Sequence, residues 1–297
     1  MEIAVIGHPC YDIIHKGERE IHSYGGIIYS LIGLILISKP EDKIYPIFQI
    51  NSEHFAKYFE IIENFPQIDF KFIERNNLPI NTVNLFFQGE NLQFECYKEK
   101  QSKINVQNLM KLSINTNFYV NMISGFELEI DDLKFIKDNF NGKVYFDFHT
   151  LTRGINSEGK RFYRPLNDWL QWLDQCDVVQ MNDTERKSIP PVDLTEEQFV
   201  HEALQTNLKV VNITKGKEGA VTYYKVDTRI EKISMKPEQT LSFKSNVGCG
   251  DLFGAIFAYE YFRGAEIKDC LKRSVLISSR RVEIESLQEI LTLKKLL

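Results

Sequence analysis

Short continuous apolar runs alternate along this chain with longer apolar or amphipathic stretches, and that rhythm predicts an α/β protein. Residues 3–6 form an unbroken apolar run ending at Gly7, the pattern of a strand buried on both faces with a turn at its C-terminal end. Further strands are expected at 44–50, 69–73, 118–123, 143–148, 178–181 and 208–214. Between and after them, helices are expected at 27–37, 52–65 with Ser52 as cap, 131–139, 167–175, 196–204, 252–262, 267–279 and 286–296. Strand–helix alternation of this kind implies a doubly wound, mostly parallel sheet flanked by helices.

Two segments break the rhythm. Residues 82–98 hold two β-prone runs around Gln88-Gly89-Glu90-Asn91, which predicts a hairpin. Residues 11–24 are charged and short of large core side chains, which favours a ribbon. A hairpin inserted in an α/β chain packs outside the main sheet, so the two segments together are expected to form a lid over the sheet's C-terminal edge, where it can exclude water. A returning strand is expected at 220–226 after a tight turn at 215–219. The expected organisation is one domain over 1–297, with lid segments at about 11–24 and 82–98 inserted.

Composition narrows the partners. The 297 residues are 43% hydrophobic and 26% charged, with a formal net charge of -5 and a mean hydropathy of -0.26. This is the balance of a soluble chain with a sizeable core, and it offers no general attraction for nucleic acid. The longest apolar run, 27–37, is short for a bilayer span, so no membrane partner is expected. The N-terminus enters a strand at once, without a visible secretory signal. Five scattered cysteines (Cys10, Cys96, Cys176, Cys249, Cys270) lack C-x-x-C spacing and read as reduced thiols, which places the chain in the cytoplasm without structural zinc.

The candidate chemistry centres on Gly248-Cys249-Gly250-Asp251, followed by an apolar helix. Two glycines let backbone N–H groups converge, and a helix N-terminus points its positive end at the same spot, which makes an anion site. Asp251 falls in the first turn, where the ionised carboxylate is stabilised, so an unprotonated acceptor is expected beside the anion. A proton acceptor at an anion hole suggests phosphoryl transfer to a hydroxyl; a plain tight turn is the alternative reading of the same residues. Asn182 and Glu185 stand three apart on one helical face and can hold a hydrated metal ion, or can cap the helix together. The turn Lys215-Gly216-Lys217-Glu218-Gly219 is Gly-rich and basic and suits phosphate. Asp147 and His149 close a strand, at the edge where open α/β sheets gather their sites.

These residues resemble the ribokinase-like, or PfkB, carbohydrate kinases. Gly248-Cys249-Gly250-Asp251 is similar to the family's G-A-G-D, Asn182 to Glu185 to N-x-x-E, Thr214-Lys215-Gly216 to the T-x-G nucleotide turn, and Gly7, Asp12 and Gly25-Gly26 to its N-terminal elements. The resemblance implies an ATP- and Mg²⁺-dependent kinase for a sugar or sugar-like molecule. Asp251 would be the base, with the N–H groups of Cys249, Gly250 and Asp251 as anion hole. Asn182, Thr214 and Gly216 would contact the nucleotide, and Glu185 with Asn182 would hold Mg²⁺ through water. Asp12, Gly25, Gly26, Ser30, Asp147 and Arg153 would meet the substrate, Arg153 as a phosphate contact. Three departures stand out. Ser245-Asn246 replace the family's Asp-Thr, which removes a monovalent-cation ligand and argues against potassium activation. Ser30 stands at a common sugar-binding Asn, and Asp147-Phe148-His149 replace Asp-Pro-Asn. The departures keep open a catalytically impaired nucleotide- or ligand-binding relative, with a nucleoside kinase as another alternative. A dinucleotide-binding enzyme is excluded, because Gly7 is followed by His8-Pro9-Cys10 in place of a G-x-G-x-x-G run. The hairpin 82–98 is a candidate homodimer surface. Cys249, at a helix N-terminus, is expected to carry a somewhat acidified thiol.

Overall fold

The apolar runs become the strands of one eight-stranded sheet. In the computed structural model, which describes residues 1–89, 91–191, 193–238 and 243–297, the strand Glu2–Ile6 lies between Lys43–Ile47 and Asn117–Asn121. The sheet continues through Val144–Asp147, Val178–Asn182 and Val210–Thr214, all parallel. Two antiparallel strands, Ala220–Val226 and Arg229–Met235, finish the edge. The four buried residues Ile3 to Ile6 show why the first run is unbroken: helices cover both faces, so alternation would place polar groups in the core.

The helix Ile28–Ile37 is apolar all round because it is enclosed, packing against the helix Cys249–Phe262. Gly33 permits the close approach, since a Cβ there would lie 2.7 Å from the Ala255 Cβ. The helix Ile267–Arg281 packs on the other side of Cys249–Phe262. Among the described residues no helix is long and apolar enough to cross a membrane.

Both lid segments form, and they join. Pro9–Lys16, Arg19–Gly26, Asn81–Gln88 and Asn91–Glu99 make a separate four-stranded sheet. Asp12 pairs in register with Ser23 on one side and Val83 on the other. Glu90, in the expected hairpin loop, lies outside the described residues.

Several expected elements differ. The helix expected over 52–65 ends at Phe59, and its cap is Asn51, whose side chain accepts from the Glu53 N–H at 2.8 Å. No strand forms over 69–73. Asp69 caps a single 3₁₀ turn, Phe70–Phe72, whose rings pack on Phe59 and Tyr45. The strand Glu74–Asn76 pairs instead with Gln49–Asn51, outside the main sheet. Aromatic burial, satisfied by a turn, outweighs β propensity there. The expected terminal helix divides into Leu287–Ile290 and a 3₁₀ segment, Leu291–Leu296. Two short strands, Arg153–Ile155 and Arg161–Tyr163, and the edge strand Arg229–Met235 were not anticipated.

Candidate active site

The turn before Cys249–Phe262 needs its first glycine. Gly248 has φ +81°, and a Cβ there would sit 2.2 Å from Cδ1 of Tyr29. The Cys249 N–H donates to the Asn246 carbonyl at 3.2 Å, so it is withdrawn from the expected anion hole. The N–H groups of Gly250 and Asp251, in the first helical turn and without intrahelical partners, remain to meet an anion. Gly250 faces open space, where a Cβ would find only Nε2 of Gln180 at 3.8 Å.

Asp251 is buried, and Asn121 Nδ2 donates to its Oδ1 at 2.6 Å. Burial pushes its carboxyl up to about 6, against the pull of the Asn121 bond. The low value expected from the helix dipole is therefore corrected: desolvation of a carboxylate outweighs the dipole, although the group is still mostly ionised at pH 7. The Cys249 thiol is also corrected, because burial drives it up to about 12 and keeps it protonated.

Gln180, a polar residue within an apolar strand, ties the turn to the sheet. Its Nε2 donates to Asp147 Oδ2 and to the Gly250 carbonyl, both at 2.9 Å, while Tyr145 donates to its Oε1 at 2.7 Å. Asp147 is driven well above the carboxylate range by burial and then by the neighbouring charges of Asp251 and Glu185. Burial likewise raises Glu185 to about 7. Asn182 and Glu185 form a reciprocal cap on the short helix Asp183–Lys187. Glu185 N–H donates to Asn182 Oδ1 at 2.8 Å, and Asn182 N–H donates to Glu185 Oε2 at 2.8 Å. The capping reading of these two residues is thus realised, and both still face the cavity described next.

A cavity of about 630 Å³ adjoins Asp251. It is lined by Asp147, His149, Asn182, Glu185 and the 248–251 turn, by Thr214, Gly216 and Lys217, and by the apolar side chains of Ala220, Phe243, Val275 and Val282. A lining with both polar groups and apolar side chains suits a ligand that carries phosphates and a flat apolar body. Lys215 is turned aside, its Nζ paired with Glu196 at 2.6 Å.

The predicted substrate residues divide. Asp12, on the lid sheet, is buried and raised to about 7 by burial and then by the charges of Glu95 and Asp251. Gly25 makes room for it, since a Cβ at 25 would meet Asp12 Oδ2 at 2.2 Å. Gly26 answers to the backbone: φ is +69°, and a Cβ would lie 2.4 Å from the His8 carbonyl oxygen. Ser30 is fully buried beneath the site, donating to Tyr119 Oη and accepting from Asn121 Nδ2, both at 3.3 Å. Arg153 pairs with Glu95 and lies over the Tyr163 ring, so its charge is already answered within the chain. His149 has φ +38° and a buried Nδ1 without a partner, and burial together with Arg153 lowers it to about 4. His8 is held as a turn residue, its ring bonded to Ser124 Oγ at 2.8 Å and to the Ser102 carbonyl at 3.0 Å.

Asn121, Gln180 and Glu95 were missed by the sequence reading. The first had an available signal: it ends the strand Asn117–Asn121 at the sheet edge where sites collect. Gln180 was visible as the one polar residue in Val178-Val179-Gln180-Met181.

Comparison with known proteins agrees with this fold. Residues 153–292 match the model of the pfkB family carbohydrate kinases. No curated protein matches the sequence. Among solved structures, a pyrophosphate-dependent kinase of the ribokinase family superposes with a TM-score of 0.79 at 16% identity, covering 98% of this chain and 99% of that one. Ribokinase of Arabidopsis thaliana, complexed with ribose and ATP, gives 0.71 at 15% identity, covering 99% and 98%. A putative ribokinase II from E. coli with ATP and Mg²⁺ gives 0.74 at 14%, also covering 99% and 98%. The fold is that of the ribokinases. Residues 153–292, a little under half of the chain, are thus similar to the pfkB family carbohydrate kinases.

Proposed function

We propose that this protein transfers the γ-phosphoryl group of ATP to a hydroxyl of a neutral sugar-like polyol, with Asp251 as the base. The observation that carries this is one cavity lined by Asp251 and its anion-binding turn, by the Thr214–Gly219 turn and by the apolar side chains of Ala220, Phe243, Val275 and Val282. The acceptor hydroxyl oxygen bonds to the γ-phosphorus, the bond from that phosphorus to the oxygen of the ADP leaving group breaks, and the hydroxyl proton passes to Asp251. Asn121 fixes the Asp251 carboxylate through Oδ1. The Gly250 and Asp251 N–H groups meet the charge on the transferred phosphoryl oxygens, and Gln180 holds the Gly250 carbonyl so that this turn need not reorganise.

The carboxylates fit a divalent cation. Asp147, Glu185 and Asp251 repel one another enough to raise Asp147, and no cation of the chain compensates Asp147 at hydrogen-bond distance among the described residues. No three metal-ligating side chains converge among the described residues, so Glu185 and Asn182 would hold Mg²⁺ through its waters. When bound, the ion neutralises donor phosphate charge. Asp12 is the acceptor-side carboxylate, placed to take sugar hydroxyls, with Gly25 giving it room.

Pyrophosphate is the competing donor, because a pyrophosphate-dependent kinase is among the structures of the same fold. The apolar lining formed by Ala220, Phe243, Val275 and Val282 favours ATP, since pyrophosphate has no group to place there. The outer lid exposes Ile21, Leu92 and Phe94, which supports pairing of two copies through that sheet.

The test is phosphoryl transfer from ATP and from pyrophosphate to a panel of sugars, polyols and nucleosides, by wild type and Asp251→Asn. ATP-dependent turnover that falls at least about 10²-fold in the variant, with ATP binding retained, is expected. Equal turnover by the variant removes Asp251 as base, and turnover only with pyrophosphate removes ATP. ATP binding without turnover on any acceptor would favour a binding protein.

A further inference from the structure

Among the described residues the buried arginines and several buried carboxylates away from the cavity are answered by opposite charges, but Arg281, behind the anion-binding turn, is not. Glu260 is met by Arg263 and by Arg273 at 2.7 Å, Arg186 by Asp183 at 3.1 Å, and Asp177 by Lys209 at 2.7 Å. Arg281, at the end of the helix Ile267–Arg281, is only 2% exposed, yet no carboxylate of the described residues lies within 4.0 Å of it. Its Nη1 donates to the Ile284 carbonyl, and its Nε has no partner. An unpaired buried cation is costly to hold, so a balancing anion is called for.

The place of this charge indicates which anion. Arg281 Cζ lies 5.7 Å from the centre of the Tyr29 ring. The same ring lies directly under Gly248, where a Cβ would meet it at 2.2 Å. The charge of Arg281 also pulls the Cys249 thiol down, against the larger effect of burial. Arg281 and Gly248 thus share the Tyr29 ring, which brings the guanidinium close to the start of the motif. Its neighbour Val282 straps the preceding segment, accepting from the N–H groups of Lys244 at 2.7 Å and Ser245 at 3.2 Å. The helix end at Cys249 adds a second positive end to the same spot.

We propose that Arg281 is a positioning residue for the phosphoryl donor, a resident cation whose charge is balanced only when the donor's phosphates occupy the turn Gly248–Asp251. This rests on that turn being the donor-phosphate site. A helix-capping role through Ile284 alone would give Arg281 stability but no coupling to the donor.

The two roles separate in calorimetric titration of the full chain with ATP in Mg²⁺ buffer, alongside steady-state kinetics. Arg281→Met should raise the Kd and KM for ATP about tenfold or more, with the acceptor KM unchanged. Arg281→Lys, which keeps the charge, should stay within about threefold. Millimolar guanidinium should restore part of the affinity lost in Arg281→Ala. A folded Arg281→Met protein that binds ATP as wild type does would overturn the proposal. So would neutral variants that fail to fold equally with and without saturating ATP, since that is the signature of capping alone. Wild-type protein that binds neither ATP, pyrophosphate nor inorganic phosphate would instead remove the donor-site reading, and the Arg281 proposal with it.

Discussion

Asn121→Ala should change the pH profile of the proposed phosphoryl transfer in a way that tests Asp251 as the base. Asn121 donates to Asp251 Oδ1 at 2.6 Å and stabilises only the ionised form, while burial holds the group at about 6. A hydrogen bond to a charged group is worth about 1.5–3 kcal/mol, or about one to two pH units. Water entering the vacated space recovers part of this, so the low end applies, and Asp251 should move from about 6 to about 7. The assay is kcat against pH for both proteins, expressed as the ratio of wild type to variant. Taking the ratio cancels the titration of Glu185 and Asp12, which both proteins share. The ratio should reach about ten at pH 5 and fall to about one above pH 8, because Asp251 is ionised in both proteins there. A ratio that is constant across pH would mean that Asn121 supports only the packing of Ser30 and Tyr119, and would refute its action through Asp251.

Three further outcomes follow from the same geometry. Gly25→Ala puts a Cβ on Asp12 Oδ2, so the acceptor KM should rise while the donor KM holds, as read from paired titrations of each substrate. Glu127 is fully buried and held down to about 2, chiefly by His8 and the Ser124 N–H, against the cost of burial. A carboxyl depressed from 4.5 stabilises the fold above that pH and loses the contribution as pH falls toward 2. Glu127→Gln should therefore cost about 3 kcal/mol in urea denaturation at pH 7, with the difference shrinking below pH 4. Finally, potassium salts should give the same rate as sodium salts, because Ser245-Asn246 carry no carboxylate to hold a monovalent cation.

The parallel sheet was legible because each of its strands is an unbroken apolar run between helices, and the lid because two segments break that rhythm. What failed were places where tertiary packing decides. The run at 69–73 is β-prone, yet its phenylalanines find Phe59 and Tyr45 through a single turn. At the site, the motif Gly248 to Asp251 and its ordering along the chain were legible, whereas Asn121 and Gln180 contact it from strands 130 and 70 residues away in sequence. No local pattern records such a pair. The upward shift of Asp251 was not legible for a related reason: the helix dipole is a property of the local sequence, but desolvation is a property of the finished fold.

Under the proposed assignment of acceptor, metal and donor, the site has two electrostatic halves that the sequence presents as one motif. On the acceptor and metal side, burial gathers Asp12, Asp147, Glu185 and Asp251 and raises all four, so each is poised to gain from a nearby cation or hydroxyl donor. On the donor side, the helix N-terminus and Arg281 concentrate positive charge with no carboxylate to answer it among the described residues. Asp251 lies between the two halves, its carboxyl raised by burial and its first-turn backbone part of the anion-binding turn. Without ligands each half is unfavourable alone, and donor phosphates with a divalent cation would relieve both at once. Binding of the donor and of the metal should therefore be coupled through the charge each leaves uncompensated.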